Sequence, residues 1–227
     1  FKVPDHSVIP QLPVFTGGLV GYFGYDAVRY IEPKLKNPPA NDPIGLPDIW
    51  LMLSRTVIVF DTLSDTMSLI THADANEPDA YAKAVAQLDA LEQQLAQPLT
   101  LEAKPHTPPL FVSLTGEEGY KNTVEVVKEY IRAGDVMQVV PGQRMVSPFD
   151  GDPLSVYRAL RHLNPSPYLF LVQGQTTADK KPFYLIGSSP EILSRLEDGV
   201  ATVRPLAGTR PRGKTHAEDL ALEQDLL

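Results

Sequence analysis

Apolar residues recur along this chain in two periods, and the alternation between them predicts its elements. Tyr81, Ala84, Val85, Leu88, Leu91 and Leu95 follow the helical spacing of three and four to about Gln97. Asn76, Glu77 and Pro78 mark the start of that helix, because proline in a first turn loses an N–H that has no partner anyway. Thr115 with Glu118 predicts a capping box for a second helix, whose buried face carries Tyr120, Val124, Val127 and Ile131 and whose stop is Gly134. Asp152 and Pro153 open a third, with Leu154, Tyr157, Leu160 and Leu163 along one face and Asn164-Pro165 as its end. A further amphipathic run covers 216–227.

Other stretches carry the strand period of two. Residues 15–30 mix glycines at 17, 18, 21 and 24 with aromatic and β-branched residues, which predicts a glycine-rich strand that another backbone approaches closely. The spacing does not match G-x-G-x-x-G, so dinucleotide binding is not expected. Residues 50–60 and 66–72 predict two strands joined through 61–65. In the predicted strand 136–146, Gln138 shares a face with Val136 and Val140, and an amide on an apolar face fits the border of a cleft. Strands are also expected at 168–173 and 183–186, and a hairpin at 192–196 and 200–204 turning on Asp198-Gly199.

Hairpins alternating with helices predict an α+β fold, mainly antiparallel sheets with helices packed outside. Proline punctuates it. A proline-rich stretch at 33–48 reads as an extended surface loop, and the four prolines of 98–109 mark the main boundary. The predicted organisation is one domain portion at 1–97, a linker at 98–112 and a second portion at 113–227. The chain opens at Phe1 without an initiator Met or signal peptide and closes inside an amphipathic run, so it reads as an internal piece of a longer polypeptide.

Composition narrows the function. Hydrophobic residues at 43% and charged residues at 21% describe a globular chain, and no apolar run approaches the roughly 18 residues of a membrane span. The net charge of −8 argues against nucleic acid, which requires a dominant basic surface. Without cysteine there is no thiolate nucleophile and no zinc–thiolate site, and a reducing cytoplasm fits.

Against that acidic background, residues 203–213 (V-R-P-L-A-G-T-R-P-R-G) gather three arginines, two prolines and two glycines. A stiff loop of this kind holds cations and backbone N–H groups toward an anion, with Gly208 and Thr209 at its centre. A solvated loop is the plain alternative. Just upstream, Glu191 follows a proline at the start of the apolar run Ile192-Leu193. A carboxyl desolvated there has its pKa raised and donates a proton near neutrality, whereas a solvent-exposed strand-end glutamate does not. The chain thus predicts a cleft shared by a carboxyl group and an anion-binding loop.

Five segments together resemble the large, synthase component of the anthranilate synthases, a family of chorismate-utilising enzymes: 134–144 (G-D-V-M-Q-V-V-P-G-Q-R), 164–170 (N-P-S-P-Y-L-F), 187–193 (G-S-S-P-E-I-L), 203–213 and 219–227 (D-L-A-L-E-Q-D-L-L). Residues 15–26 are similar to that family's glycine-aromatic stretch. The resemblance implies the family's α/β sandwich, incomplete in this chain, and a reaction in which chorismate and ammonia give anthranilate and pyruvate. It further implies a glutaminase partner that supplies the ammonia, tryptophan as feedback inhibitor, and Mg²⁺ on the substrate carboxylate.

The resemblance also assigns residues. Glu191 matches the general acid that protonates the departing hydroxyl. Gln138 stands where relatives that add water carry a lysine base. Gly208 and Thr209 match residues lining the chorismate pocket, with Arg204 and Arg210 shaping the loop. Asn164, Pro167, Tyr168 and Leu169 match half of the tryptophan site. The Mg²⁺ ligands are expected beyond Leu227, and Glu218 and Glu223 precede that motif. Ala207 separates this chain from aminodeoxychorismate synthases, which place a covalent lysine there, and an aminodeoxychorismate or aminodeoxyisochorismate synthase, or a non-catalytic scaffold of the same fold, are the alternatives. Gly142 and Leu206 stand where Ser and Ile are more usual.

Overall fold

The computed structural model describes residues 12–38, 42, 44–99, 107–176, 179–205 and 208–226. The chain divides into two compact units, one of residues 1–101 with 172–185, the other of 102–171 with 186–227.

In the first unit, β1 (Gly18–Phe23) pairs antiparallel with β2 (Ile49–Ser54) in the register Tyr22 opposite Trp50. Of the glycine-rich strand expected at 15–30 only 18–23 forms, Tyr25–Tyr30 being a 3₁₀ helix, and within the strand a Cβ on Gly21 would lie 2.0 Å from the Trp50 carbonyl oxygen. β3 (Thr56–Asp61) pairs with β4 (Thr66–Thr71). The run expected as one strand at 50–60 is therefore two, broken at Arg55, whose carbonyl accepts from His72 N–H at 3.1 Å. One stretch of alternating residues serves two separate ladders, and strand periodicity carries no record of which partner each half takes.

Helix α1 (Ala80–Leu95) starts later than expected, after Asp79 in the left-handed region. Ala84, Leu88 and Leu91 are half-buried, whereas Tyr81 at the helix start is 80% exposed. Gln87 ties α1 to the β3–β4 ladder, donating to Thr56 Oγ1 at 3.0 Å and accepting from Thr71 Oγ1 at 3.2 Å. Within the stretch expected as an extended loop, Pro33–Leu35 forms a 3₁₀ turn. Arg29 closes it by donating to the carbonyls of Leu35 and Asn37. Phe183 completes this unit, edge-on to Trp50 at 5.7 Å and to Tyr22 at 6.3 Å between ring centroids.

In the second unit, β5 (Val112–Ser113) leads to α2 (Glu117–Ala133). The expected capping box is absent: Gly116, not Thr115, is the N-cap, and Glu118 turns to Lys121 instead. Gly134 stops α2 as predicted, at φ 80° with its N–H on Ile131 O. Only β6 (Met145–Val146) of the strand expected at 136–146 forms, pairing with β5. Pro141 interrupts the remainder by removing a ladder donor, and residues 136–144 carry no strand. Helix α3 (Pro153–Leu163) begins as predicted, Asp152 capping the N–H groups of Leu154 and Ser155.

β7 (Tyr168–Gln175) and β8 (Pro182–Ser189) pair, and the short connection between them permits only antiparallel pairing. Their turn-side halves belong to the first unit and their open ends to the second. β9 (Arg195–Glu197) and β10 (Val200–Thr202) form the predicted hairpin on Asp198-Gly199, with φ of 49° and 77°. A two-residue turn with both φ positive is the one whose twist suits paired strands. The chain ends on α4 (His216–Leu226).

Among the described residues only Thr16, Gly17 and Gly174 are buried, and no hydrophobic side chain is. Large apolar side chains such as Val140, Leu163 and Leu193 are mostly exposed. No helix among them is long and apolar enough to cross a membrane.

Candidate active site

Two motifs far apart in sequence meet at the open end of the β7–β8 hairpin. Ser188 Oγ donates to the Asn164 carbonyl at 2.8 Å, and Ser166 Oγ donates to the Ser189 carbonyl. Gly187 belongs to this contact because a Cβ there would sit 2.2 Å from the Phe170 ring. Ser188 thus holds the backbone of Asn164 and Ser166 in turn holds the backbone of Ser189, so the chain leaves β8 in a fixed direction toward Glu191. Ser189 Oγ then donates to the Glu191 carbonyl at 3.2 Å.

Beyond this turn lies a cleft of about 540 Å³, lined on one side by residues 189–193, including Glu191, and on the other by Val203, Arg204 and Pro205. The carboxyl group and the start of the arginine loop do share one cleft. Arg204 makes no ion pair among the described residues. Of the two states open to Glu191 the structure shows the solvent-exposed one: β9 begins only at Arg195, Leu193 is 95% exposed, and Glu191 itself is exposed.

The far half of the loop is organised differently. Thr209 and Arg210 line a separate hollow of about 410 Å³ with Arg212, Asp219 and Glu223. Arg210 Nε donates to Asp225 at 2.5 Å and Arg212 Nη1 to Asp219 at 2.8 Å. Gly208 faces the same helix, since a Cβ on it would lie 3.1 Å from Leu226. The structure therefore brings Glu191 and Arg204 together, and Gly208, Thr209 and Arg210 together, as two groups. Ala207 and Leu206 lie outside the described residues.

Gln138 stands in the strandless segment after α2 and is exposed, so the apolar face expected around it does not exist; neighbouring Met137 is 99% exposed. Asn164, Pro167 and Tyr168 are exposed and Leu169 is half-buried. Among the described residues no three His, Cys, Asp or Glu side chains gather as metal ligands.

Sequence reasoning missed the carboxylates of α4. Their signal is present: Thr215 and Glu218 have capping-box spacing, and Glu218 N–H donates to Thr215 Oγ1 at 3.2 Å. Glu218 reaches back one residue further than usual, accepting from Lys214 N–H at 2.7 Å.

The chorismate binding enzyme family matches residues 3–227. The chain is 72% identical over its whole length to anthranilate synthase component 1 of Acinetobacter calcoaceticus, and 49% identical to that of Pseudomonas aeruginosa, covering 46% of each. The corresponding Saccharomyces cerevisiae protein is 37% identical, again over the whole chain and 45% of that protein. The crystal structure of anthranilate synthase component I from Streptococcus pneumoniae superposes with a TM-score of 0.75 at 30% identity, covering 95% of this chain and 46% of that one. The chain spans about half the length of the curated relatives it matches, and it belongs to the chorismate binding enzyme family.

Proposed function

We propose that this chain acts as part of an anthranilate synthase component 1, converting chorismate and ammonia to anthranilate, pyruvate and water. The observation that carries this reading is the shared cleft of Glu191 and Arg204, in a chain so similar to proteins of that name. Arg204 receives a substrate carboxylate through forked, charge-assisted hydrogen bonds. Glu191, across the cleft, delivers a proton to the 4-hydroxyl as its C–O bond breaks, and the oxygen leaves as water. Ammonia bonds to C2, and the enolpyruvyl group then departs as pyruvate to leave the aromatic ring. Gly208 and Thr209 present an N–H and a hydroxyl from the loop. Gln138 takes the position at which relatives that add water carry a lysine base, and ammonia, already nucleophilic, needs no such base.

The remaining assignments come from the family. Mg²⁺ would neutralise the substrate carboxylate through ligands beyond Leu227. A glutaminase supplies the ammonia, tryptophan inhibits through a site that includes 164–169, and the cytoplasm is the compartment.

The test uses this sequence within a chain of the relatives' full length, given chorismate, an ammonium salt and Mg²⁺. Anthranilate fluorescence is expected. A non-aromatic amino product would move the assignment to aminodeoxychorismate synthesis, and no turnover even with a glutaminase would leave a scaffold.

A further inference from the structure

The arginine loop is seated on α4 more closely than surface ion pairs require. A Cβ on Gly213 would lie 2.2 Å from the Asp219 backbone nitrogen and 2.6 Å from its Cα, so the loop backbone lies directly on the first turn of the helix. Asp219 grips that backbone with both oxygens. Oδ1 accepts from Gly213 N–H at 2.7 Å, and Oδ2 accepts from Arg212 Nη1 at 2.8 Å. Its side chain is 33% exposed, against 91% for Arg212, so the anchored partner is the shielded one. The next amide, Lys214 N–H, goes to Glu218. Asp219 and Glu218 both sit in the first turn of α4, where the helix dipole favours a negative charge.

We propose that Asp219 is a positioning residue for substrate. Its carboxylate clasps the loop at Gly213 and Arg212, and thereby fixes the backbone a few residues upstream that carries Gly208 and Thr209. This rests on the proposed function, in which those two residues meet chorismate. A carboxylate accepting a backbone N–H and a guanidinium forms two charge-assisted bonds, stronger than neutral ones and directional. No substrate contact by Asp219 is required.

The experiment uses Asp219→Ala and Asp219→Asn in the full-length chain, read two ways. Amide hydrogen exchange of 208–214 should speed up at least tenfold in D219A, with exchange in α2 and α3 unchanged. D219N, which keeps an acceptor for Gly213 N–H and loses the charge facing Arg212, should fall between. In steady state, D219A should raise the KM for chorismate about tenfold, with the KM for ammonium unchanged and kcat within about threefold. Unchanged loop exchange overturns the clasp. Faster exchange with an unchanged chorismate KM overturns the positioning role. A fall in kcat alone, with a lowered melting temperature, marks a merely structural residue and also overturns it. Should the unsubstituted enzyme turn over no chorismate, the reaction reading fails while the exchange result still decides the clasp.

Discussion

The two ends of the arginine loop carry the same residue type to opposite states. Arg204 lines a cleft with Glu191 and has no ion pair among the described residues, whereas Arg210 and Arg212 are already matched to Asp225 and Asp219. The difference lies in the neighbouring chain at each end. Arg204 leaves a short hairpin whose Glu197 is paired with Arg195. Arg210 and Arg212 precede a helix whose exposed face repeats Asp and Glu. A cluster of cations is therefore not one anion site: Arg204 lines a cleft, and Arg210 and Arg212 are held by the chain's own carboxylates.

Glu191→Gln strikes the open end hardest. It keeps the shape and removes the proton, so kcat should fall by about 10²–10⁴, the usual worth of a general acid, with the chorismate KM little changed. Steady-state kinetics by anthranilate fluorescence decide it, and a kcat within tenfold of the parent would remove Glu191 from that role. Arg204→Ala should come next. Losing a charge-assisted bond to a substrate carboxylate, worth about 1.5–3 kcal/mol, should raise the chorismate KM by about 10–100-fold. Equal KM values would show that the Arg204 guanidinium is solvent-facing only.

The closed end should respond less. Arg210→Ala breaks a pair in which both partners are substantially exposed, 41% and 64%, so its effect on stability should stay below about 1 kcal/mol after screening. Denaturant midpoints at low and high salt would check it. A change comparable to that of Arg204→Ala in chorismate KM would collapse the contrast between the two ends. Gly142→Ser should do least of all, because a Cβ at Gly142 meets nothing within 4 Å and its φ is not in the left-handed region. Kinetics and melting temperature should match the parent.

An internal reference lies away from the loop, at the β7–β8 turn. Asp179 pairs with Lys181 and accepts from Thr176 Oγ1, which lower its pKa from 3.8 to about 2, the lysine being the larger influence. A carboxyl whose pKa is depressed on folding binds its proton more weakly than in the unfolded chain. Its stabilisation is full above about pH 4 and fades as the pH falls toward 2. A carboxyl titration by NMR should place Asp179 near 2, and Lys181→Ala should return it toward 3.8.

Much of this was legible in the sequence, for local reasons. Asp152 before Pro153, Gly134 after α2 and Asp198-Gly199 each act through the backbone of their own neighbourhood, and each does what its chemistry predicts. The pairing of the expected cleft, Glu191 with Arg204, was likewise readable, because a short hairpin on Asp198-Gly199 leaves the two segments little choice but to lie near each other.

The illegible parts depended on distant partners. The break at Arg55 reflects two ladders, with β1 and with β4, that no periodicity encodes. Thr115 and Glu118 have capping-box spacing, yet Gly116 takes the cap while Ser113 Oγ accepts its N–H and Lys121 claims Glu118. The same spacing at Thr215 and Glu218 does cap α4. Gln138 does not lie on the apolar face expected of it, and Glu191 is not desolvated by Ile192 and Leu193, for a common reason. Apolar neighbours in sequence promise a dry environment only if a second surface covers them, and none of the described residues does so.

The hairpin of β7 and β8 has a consequence for biosynthesis. Its tip supplies Phe183 to Trp50 and Tyr22, so the early sheet cannot finish its aromatic cluster until a segment far downstream has left the ribosome. At ~5–20 residues per second, the interval between Trp50 and Phe183 is roughly 7–27 s. For that time the nascent chain carries a bare tryptophan face, which makes the stretch between them a window for chaperones, and for pausing codons, to shape the yield of folded enzyme.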